Sequence, residues 1–157
     1  MDTHPNTPSD LSSLLVAKRR VIVLYYVMNH VRADKEIPAE NAVAIARYGD
    51  YMCFADSKQY FIASVRRRRI LELPETDPNA KTSGGGVSLP IVKVVAPKEF
   101  LVVIASGSGD SHGAMGLFFD HKASPVYGTI LWESYPKAVG MSLSFFLSFS
   151  CCGRVNT

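Results

Sequence analysis

The stretch Glu36–Pro74, EIPAENAVAIARYGDYMCFADSKQYFIASVRRRRILELP, sets short runs of β-branched, aromatic and small apolar residues between turn signals. By composition, strands fall near Ala42–Ala46, Tyr51–Ala55, Gln59–Ser64 and Arg68–Leu73. Gly49-Asp50 and Asp56-Ser57-Lys58 supply the turn chemistry between them. A helix over Ala39–Arg47 is the competing reading, because alanine is a good helix former. Four short strands joined by tight turns are the content of one blade of a β-propeller.

The same pattern continues on both sides. Upstream, LSSLLVAKRRVIVLYYVMN (Leu11–Asn29) reads as two strands joined at the basic turn Ala17–Arg20. Its second half is apolar without a break, as expected of a strand buried on both faces. Downstream, PIVKVVA, EFLVVIAS, GAMGLFFD and VYGTILWES repeat the alternation of strand and turn. Aligning Gly49-Asp50-Tyr51 with Lys98-Glu99-Phe100, and Leu14 with Met52, gives offsets of about 49 and about 38 residues, the spacing of propeller repeats. Between the two halves lies PETDPNAKTSGGG, whose glycines precede a strand rather than a helix; it reads as an inter-strand loop and not a phosphate cradle.

These units amount to all-β architecture: a partial β-propeller of about three blades of four-stranded antiparallel sheet, against the 4–8 blades that close a ring. An incomplete ring leaves apolar faces bare, each large side chain forgoing roughly 1.5–3 kcal/mol of burial. That is a sizeable share of a domain's stability of about 5–15 kcal/mol, so the expectation is a piece of a propeller completed by further sequence or another chain. Residues 1–10 are expected to be a disordered lead-in, 11–140 the propeller part, and 141–157 an off-pattern tail rich in Ser and Phe, in the manner of a mispredicted exon end.

Composition narrows the function. A chain of 157 residues with 47% hydrophobic residues suits one globular core. A net charge of +3 is too small to point to nucleic acid. Three cysteines form no spaced framework, which favours a reducing compartment over secretion. The polar start reads as no signal peptide, and no apolar run reaches the length of a membrane span.

Candidate chemistry is sparse. Gly109-Asp110-Ser111 resembles the nucleophile segment of GDSL-type hydrolases, with Ser111 attacking. Such enzymes need a histidine base well downstream, and only His121 follows, in an expected hairpin turn. Cys53 reads as a core residue, and adjacent Cys151 and Cys152 lack metal-ligand spacing, although acylation there is conceivable. The histidines are scattered; no cofactor or metal is expected. Arg66, Arg67, Arg68 and Arg69 suit an anionic contact, whether nucleic acid, lipid or acidic partner. The plainer reading is a β-turn with solvated arginines that discourages edge pairing.

EFLVVIASGSGDSHGAMGLFFDHKASPVYGTILWESYPKAVG resembles the citron homology (CNH) domain, in the version carried by endosomal and vacuolar sorting proteins: relatives of the TGF-beta receptor-associated protein and the GTPase-contacting subunits of the CORVET and HOPS tethering complexes. The matching features are Glu99-Phe100-Leu101, the strand Gly113–Phe118 with Gly116, Gly128-Thr129-Ile130, Trp132, and Ser134-Tyr135-Pro136. LLVAKRRVIVLYYV and GDYMCFADSKQYFIASVRRRRILELP are similar to the family's early hairpin and following blade, so the resemblance covers about Leu11 to Gly140. Two positions depart from the family: HKAS replaces a turn containing glycine, implying a looser hairpin, and Tyr127 stands where a basic residue often precedes Gly-Thr.

The resemblance implies a non-enzymatic β-propeller, without cofactors, that docks Rab-type small GTPases and tethering-complex subunits in vesicle tethering and endosome-to-vacuole transport. It implies a cytoplasmic protein, at most peripheral to endosomal or vacuolar membranes. The alternatives are a CNH fragment of a signalling kinase or Rho exchange factor and, from another class, a small serine hydrolase using Ser111. Close packing at Gly113 and Gly116, and burial of Trp132 and Tyr135 between blades, are the structural expectations.

Overall fold

Consecutive strands pair with their sequence neighbours in antiparallel meanders throughout the computed structural model, which describes residues 12–27, 29–74, 89–106, 113–142 and 145–149. The first sheet holds β1 (Ser12–Ala17), β2 (Val21–Val27) and β3 (Val31–Pro38). The second holds β4 (Ala44–Tyr48), β5 (Tyr51–Ala55), β6 (Tyr60–Ser64) and β7 (Arg69–Glu72). The third holds β8 (Ile91–Ala96), β9 (Glu99–Ser106), β10 (Gly113–Asp120) and β11 (Ile130–Trp132). A hairpin of β12 (Ala138–Ser142) and β13 (Phe145–Phe149) follows. Among the described residues there is no helix, and the sheets do not close into a ring.

Side chains alternate across a strand, so a strand with a sheet on each side must be apolar at successive positions. β9 meets that demand: Phe100, Val102 and Ile104 enter the core shared with the second sheet, while Leu101 and Val103 enter the core on the other side. β5 sends Cys53 and Ala55 towards the third sheet and Met52 and Phe54 towards the first, where Ile22, Leu24 and Ile37 receive them. The second sheet is thus sandwiched between its neighbours. The third is backed by Val139 of β12, and β4, β8 and β12 lie successively side by side, as the inner strands of adjacent blades do.

The expected strands at Ala42–Ala46 and Gln59–Ser64 appear as β4 and β6, and the alternative helix over Ala39–Arg47 does not form. A turn through Asn41, with φ of +50°, delivers the chain into β4 instead. β3 was not anticipated. Its sequence, VRADKEIP, buries only Ile37 and Pro-flanked backbone pairing holds the rest to β2, which an edge strand permits. Among the described residues the first sheet has three strands rather than four, and the last strand of the third sheet shrinks to Ile130–Trp132. Gly140, the expected limit of the propeller part, lies within β12, and β13 pairs with β12 beyond it. Residues 1–10 lie outside the described residues.

Aspartates close the hairpins. Asp56 Oδ1 accepts the N–H groups of Lys58 and Gln59 at 2.6 and 2.7 Å, and Asp120 Oδ1 accepts those of Lys122 and Ser124 at 2.8 and 2.9 Å. The second of these is the HKAS turn, and it is tied rather than loose: the Ala123 N–H also donates to the Asp120 carbonyl, at 3.0 Å. The position that would welcome glycine is Ala123, whose φ of +64° is left-handed. Left-handed backbone costs an alanine about 1–2 kcal/mol, from which glycine's extra unfolded-state entropy and the lost methyl contact must be subtracted. Ala123→Gly is expected to raise stability by about 0.5 kcal/mol, and Ala123→Val to lower it, because a β-branched residue fits this conformation badly. Opposite shifts of the urea midpoint would register both; shifts of the same sign would contradict the turn geometry.

Candidate functional site

The residues that carry the family resemblance converge in part. In β10, Gly116 pairs with Ile130 of β11, and the indole of Trp132 lies on it. A Cβ at position 116 would stand 2.8 Å from Trp132 Cη2 and 2.9 Å from both Trp132 Cζ3 and Leu101 Cδ1. Phe118, buried, packs with Leu101, Val103 and Val139, and the Tyr127 ring meets it edge-on at 5.6 Å. Tyr127, at the position of the family's basic residue, also faces Glu99, whose carboxylate raises its pKa. Pro136 is buried; Gly113, at the start of β10, is half-buried. Gly128 faces open space and Thr129 is exposed, so neither joins the cluster.

Tyr135 and Tyr60 tie this cluster to the second sheet. The Tyr135 hydroxyl lies 3.1 Å from the carbonyls of both Val103 and Leu89, with one proton to give, and the Tyr60 hydroxyl from β6 donates to the same Val103 carbonyl. Burial pushes the Tyr135 pKa up to about 12 and raises that of Tyr60 further, so both remain neutral donors. A carbonyl with two lone pairs accepting from two elements is a structural junction, and nothing in it is poised for proton transfer.

The arginine run makes the β6–β7 turn. The Arg66 N–H donates to Asp50 Oδ1 at 2.8 Å and its Nε lies 3.9 Å from the same oxygen. Asp50 Oδ2 accepts from the Ser64 hydroxyl at 2.7 Å, and Ser64 Oγ accepts the Arg67 N–H at 3.2 Å. Arg68 takes the left-handed conformation, φ +51°, that turns the chain into β7. All four arginines are exposed, and the Arg66 guanidinium is the one near Asp50. Arg67 and Arg69 line a cleft of about 300 Å³ with His121 and Lys122 of the β10–β11 turn, over Tyr51 and Leu71. The His121 and Tyr51 rings are 4.6 Å apart and tilted by 56°, and Lys98 Nζ lies 6.0 Å from the Tyr51 centroid.

Sequence reading found the arginines but not their companions. More than fifty residues separate Arg69 from His121, and no local pattern marks turns from two sheets that end side by side. Ser111 lies outside the described residues, as do Cys151 and Cys152. Cys53 is fully buried in the core between the second and third sheets, and burial raises its thiol pKa, so it packs as an apolar group. Among the described residues, no group of three or more His, Cys, Asp or Glu could hold a metal ion.

No family model matches the sequence, and no curated protein matches it. Among solved structures, the CNH domain of AfRom2 matches over 89% of this chain, with a TM-score of 0.50 at 19% identity. The chain spans 44% of the length of that chain. Likeness at such low identity speaks of the backbone rather than of partners, and the backbone agrees with the meander of sandwiched sheets. The chain has a CNH-like, propeller-type fold with an unclosed ring.

Proposed function

We propose that this chain is a non-enzymatic protein-interaction module. The observation that carries the reading is the match of 89% of the chain to a CNH domain. Residues of the motif resemblance are also engaged in packing: Gly116 lies under Trp132, Tyr135 shares the Val103 carbonyl with Tyr60, and burial keeps both tyrosines protonated. The finer reading rests on the motif resemblance from Glu99 to Pro136: docking of a Rab-type small GTPase and of tethering-complex subunits, in the cytoplasm at endosomal or vacuolar membranes. The same segment leaves Val126, Tyr127 and Leu131 exposed, the last at 72%, and tyrosine is among the residues enriched at the centres of protein interfaces.

The test is capture of purified Rab-type GTPases by the full chain, with each GTPase loaded with GDP or a non-hydrolysable GTP analogue. GTP-dependent capture that weakens at least about tenfold in Leu131→Asp is expected, since charge at an apolar anchor is costly. Failure of every GTPase to bind in a nucleotide-dependent way would count against the finer reading.

A further inference from the structure

We propose that the cleft between the β6–β7 and β10–β11 turns is a binding site for a compact, multiply phosphorylated ring compound, a cyclitol or sugar phosphate. This goes beyond the docking role and does not depend on it. The cleft gathers like charges that folding alone has no reason to bring together. Arg67 and Arg69 come from the second sheet and Lys122 from the third, and Lys98 Nζ lies 6.0 Å from the centroid of the Tyr51 ring that lines the same cleft. Among the described residues none of the three cations that line the cleft, Arg67, Arg69 and Lys122, is paired with a carboxylate. Such a cluster repels itself and is relieved by a bound anion.

The acids nearby are committed elsewhere. Both oxygens of Asp50 are engaged, Oδ2 by the Ser64 hydroxyl and Oδ1 by the Arg66 N–H, and Asp120 Oδ1 holds the N–H groups of its own turn. These bonds fix the two turns in place. Ser64, only 7% exposed, adds the bond that anchors the Arg67 backbone, so the arginine side chains spring from a fixed frame.

Shape and lining choose the ligand. At about 300 Å³ the cleft is at the small end of ligand sites, too small for a protein loop and sufficient for one substituted six-membered ring. Guanidinium groups match phosphate oxygens two at a time, and several cations call for more than one phosphate. Tyr51, Leu71 and His121 offer a partly apolar wall against which the ring body can rest.

The ligand could be free in solution or the headgroup of a phosphoinositide, and the experiment separates the two. The full chain is titrated calorimetrically with inositol trisphosphate, and sedimented with phosphatidylcholine vesicles that contain or lack phosphatidylinositol bisphosphate. Saturable binding in the calorimetric arm is expected; sedimentation that depends on the phosphoinositide names the headgroup as the source, and calorimetric binding without such sedimentation names the free compound. Arg67→Ala/Arg69→Ala should weaken it more than about tenfold, through loss of charge-assisted hydrogen bonds. Lys122→Gln, on the other sheet, should also weaken it. Arg66→Ala, directed at Asp50 instead, should leave it within about twofold. All are exposed positions, and an unchanged thermal transition confirms that each variant folds. No saturable binding in either arm would overturn the proposal. So would Arg66→Ala weakening binding as much as the double variant, which would mark diffuse charge attraction rather than a site.

Discussion

Phe100→Ala is expected to destabilise the chain by about 3–5 kcal/mol, the usual range for deleting a fully buried phenyl ring. Phe100 has no exposed surface and lies in the core between the second and third sheets, with Tyr60, Ile62 and Leu73 on one side and Val92 and Phe119 on its own. The loss includes its transfer from water and a cavity that the flanking strands cannot fill. β9 is held in register by β8 and β10, and its next residue, Leu101, is locked into the opposite core. Against a typical stability of about 5–15 kcal/mol, this single change would leave a marginal fold.

The way it fails is informative. Sheets that pack only on their neighbours draw much of their stability from the interfaces between them. Weakening the central interface should therefore lower the urea midpoint of the far-ultraviolet signal as one cooperative step. Leu131→Ala, at a 72% exposed position, should change the unfolding free energy by less than about 0.5 kcal/mol. Two separate transitions in Phe100→Ala would show sheets that stand alone, and a change as small as that of Leu131→Ala would contradict the packing altogether.

Much of this fold was legible because burial on both faces writes itself into composition. Runs such as YMCFA and EFLVVIAS cannot be amphipathic, and their turns carry Gly-Asp or Asp-Ser-Lys. β3 escaped for the opposite reason. An edge strand needs its backbone more than its side chains, so VRADKEIP shows no apolar rhythm even though it pairs along its length with β2. β11 was overextended because Val126 and Tyr127 have strand-like side chains but serve a turn-stabilised segment, where the Val126 N–H bonds to the Phe118 carbonyl. Of the residues named by the resemblance, Gly116 and Trp132 are brought together by the pairing of β10 with β11, and Phe118 and Tyr135 pack in the same cluster. The cleft was half visible. Four consecutive arginines announce themselves, whereas which of them face His121 and Lys122 depends on the Asp50 bonds that turn Arg66 aside.

Gly116→Ala tests the other interface, and its effect should be about 2 kcal/mol, within the range for forcing one carbon into a filled core. The added methyl cannot be absorbed on the Leu101 side, because Leu101 is completely buried between strands. Trp132 is half-buried on the last strand of its sheet, so the indole is the group that yields. Its movement uncovers Gly116 and loosens the packing beside Phe118 and Tyr135. The melting temperature should fall by roughly 4–8 °C for a chain of this size. Because Trp132 is the chain's only tryptophan, its emission should shift to the red as the ring gains water. In a Trp132→Ala background the same glycine change meets no indole, and its cost should drop by at least about 1 kcal/mol, the coupling expected of residues in direct contact. Additive costs, with an unmoved emission maximum, would mean that the indole does not rest on Gly116 and that the glycine is there for some other reason.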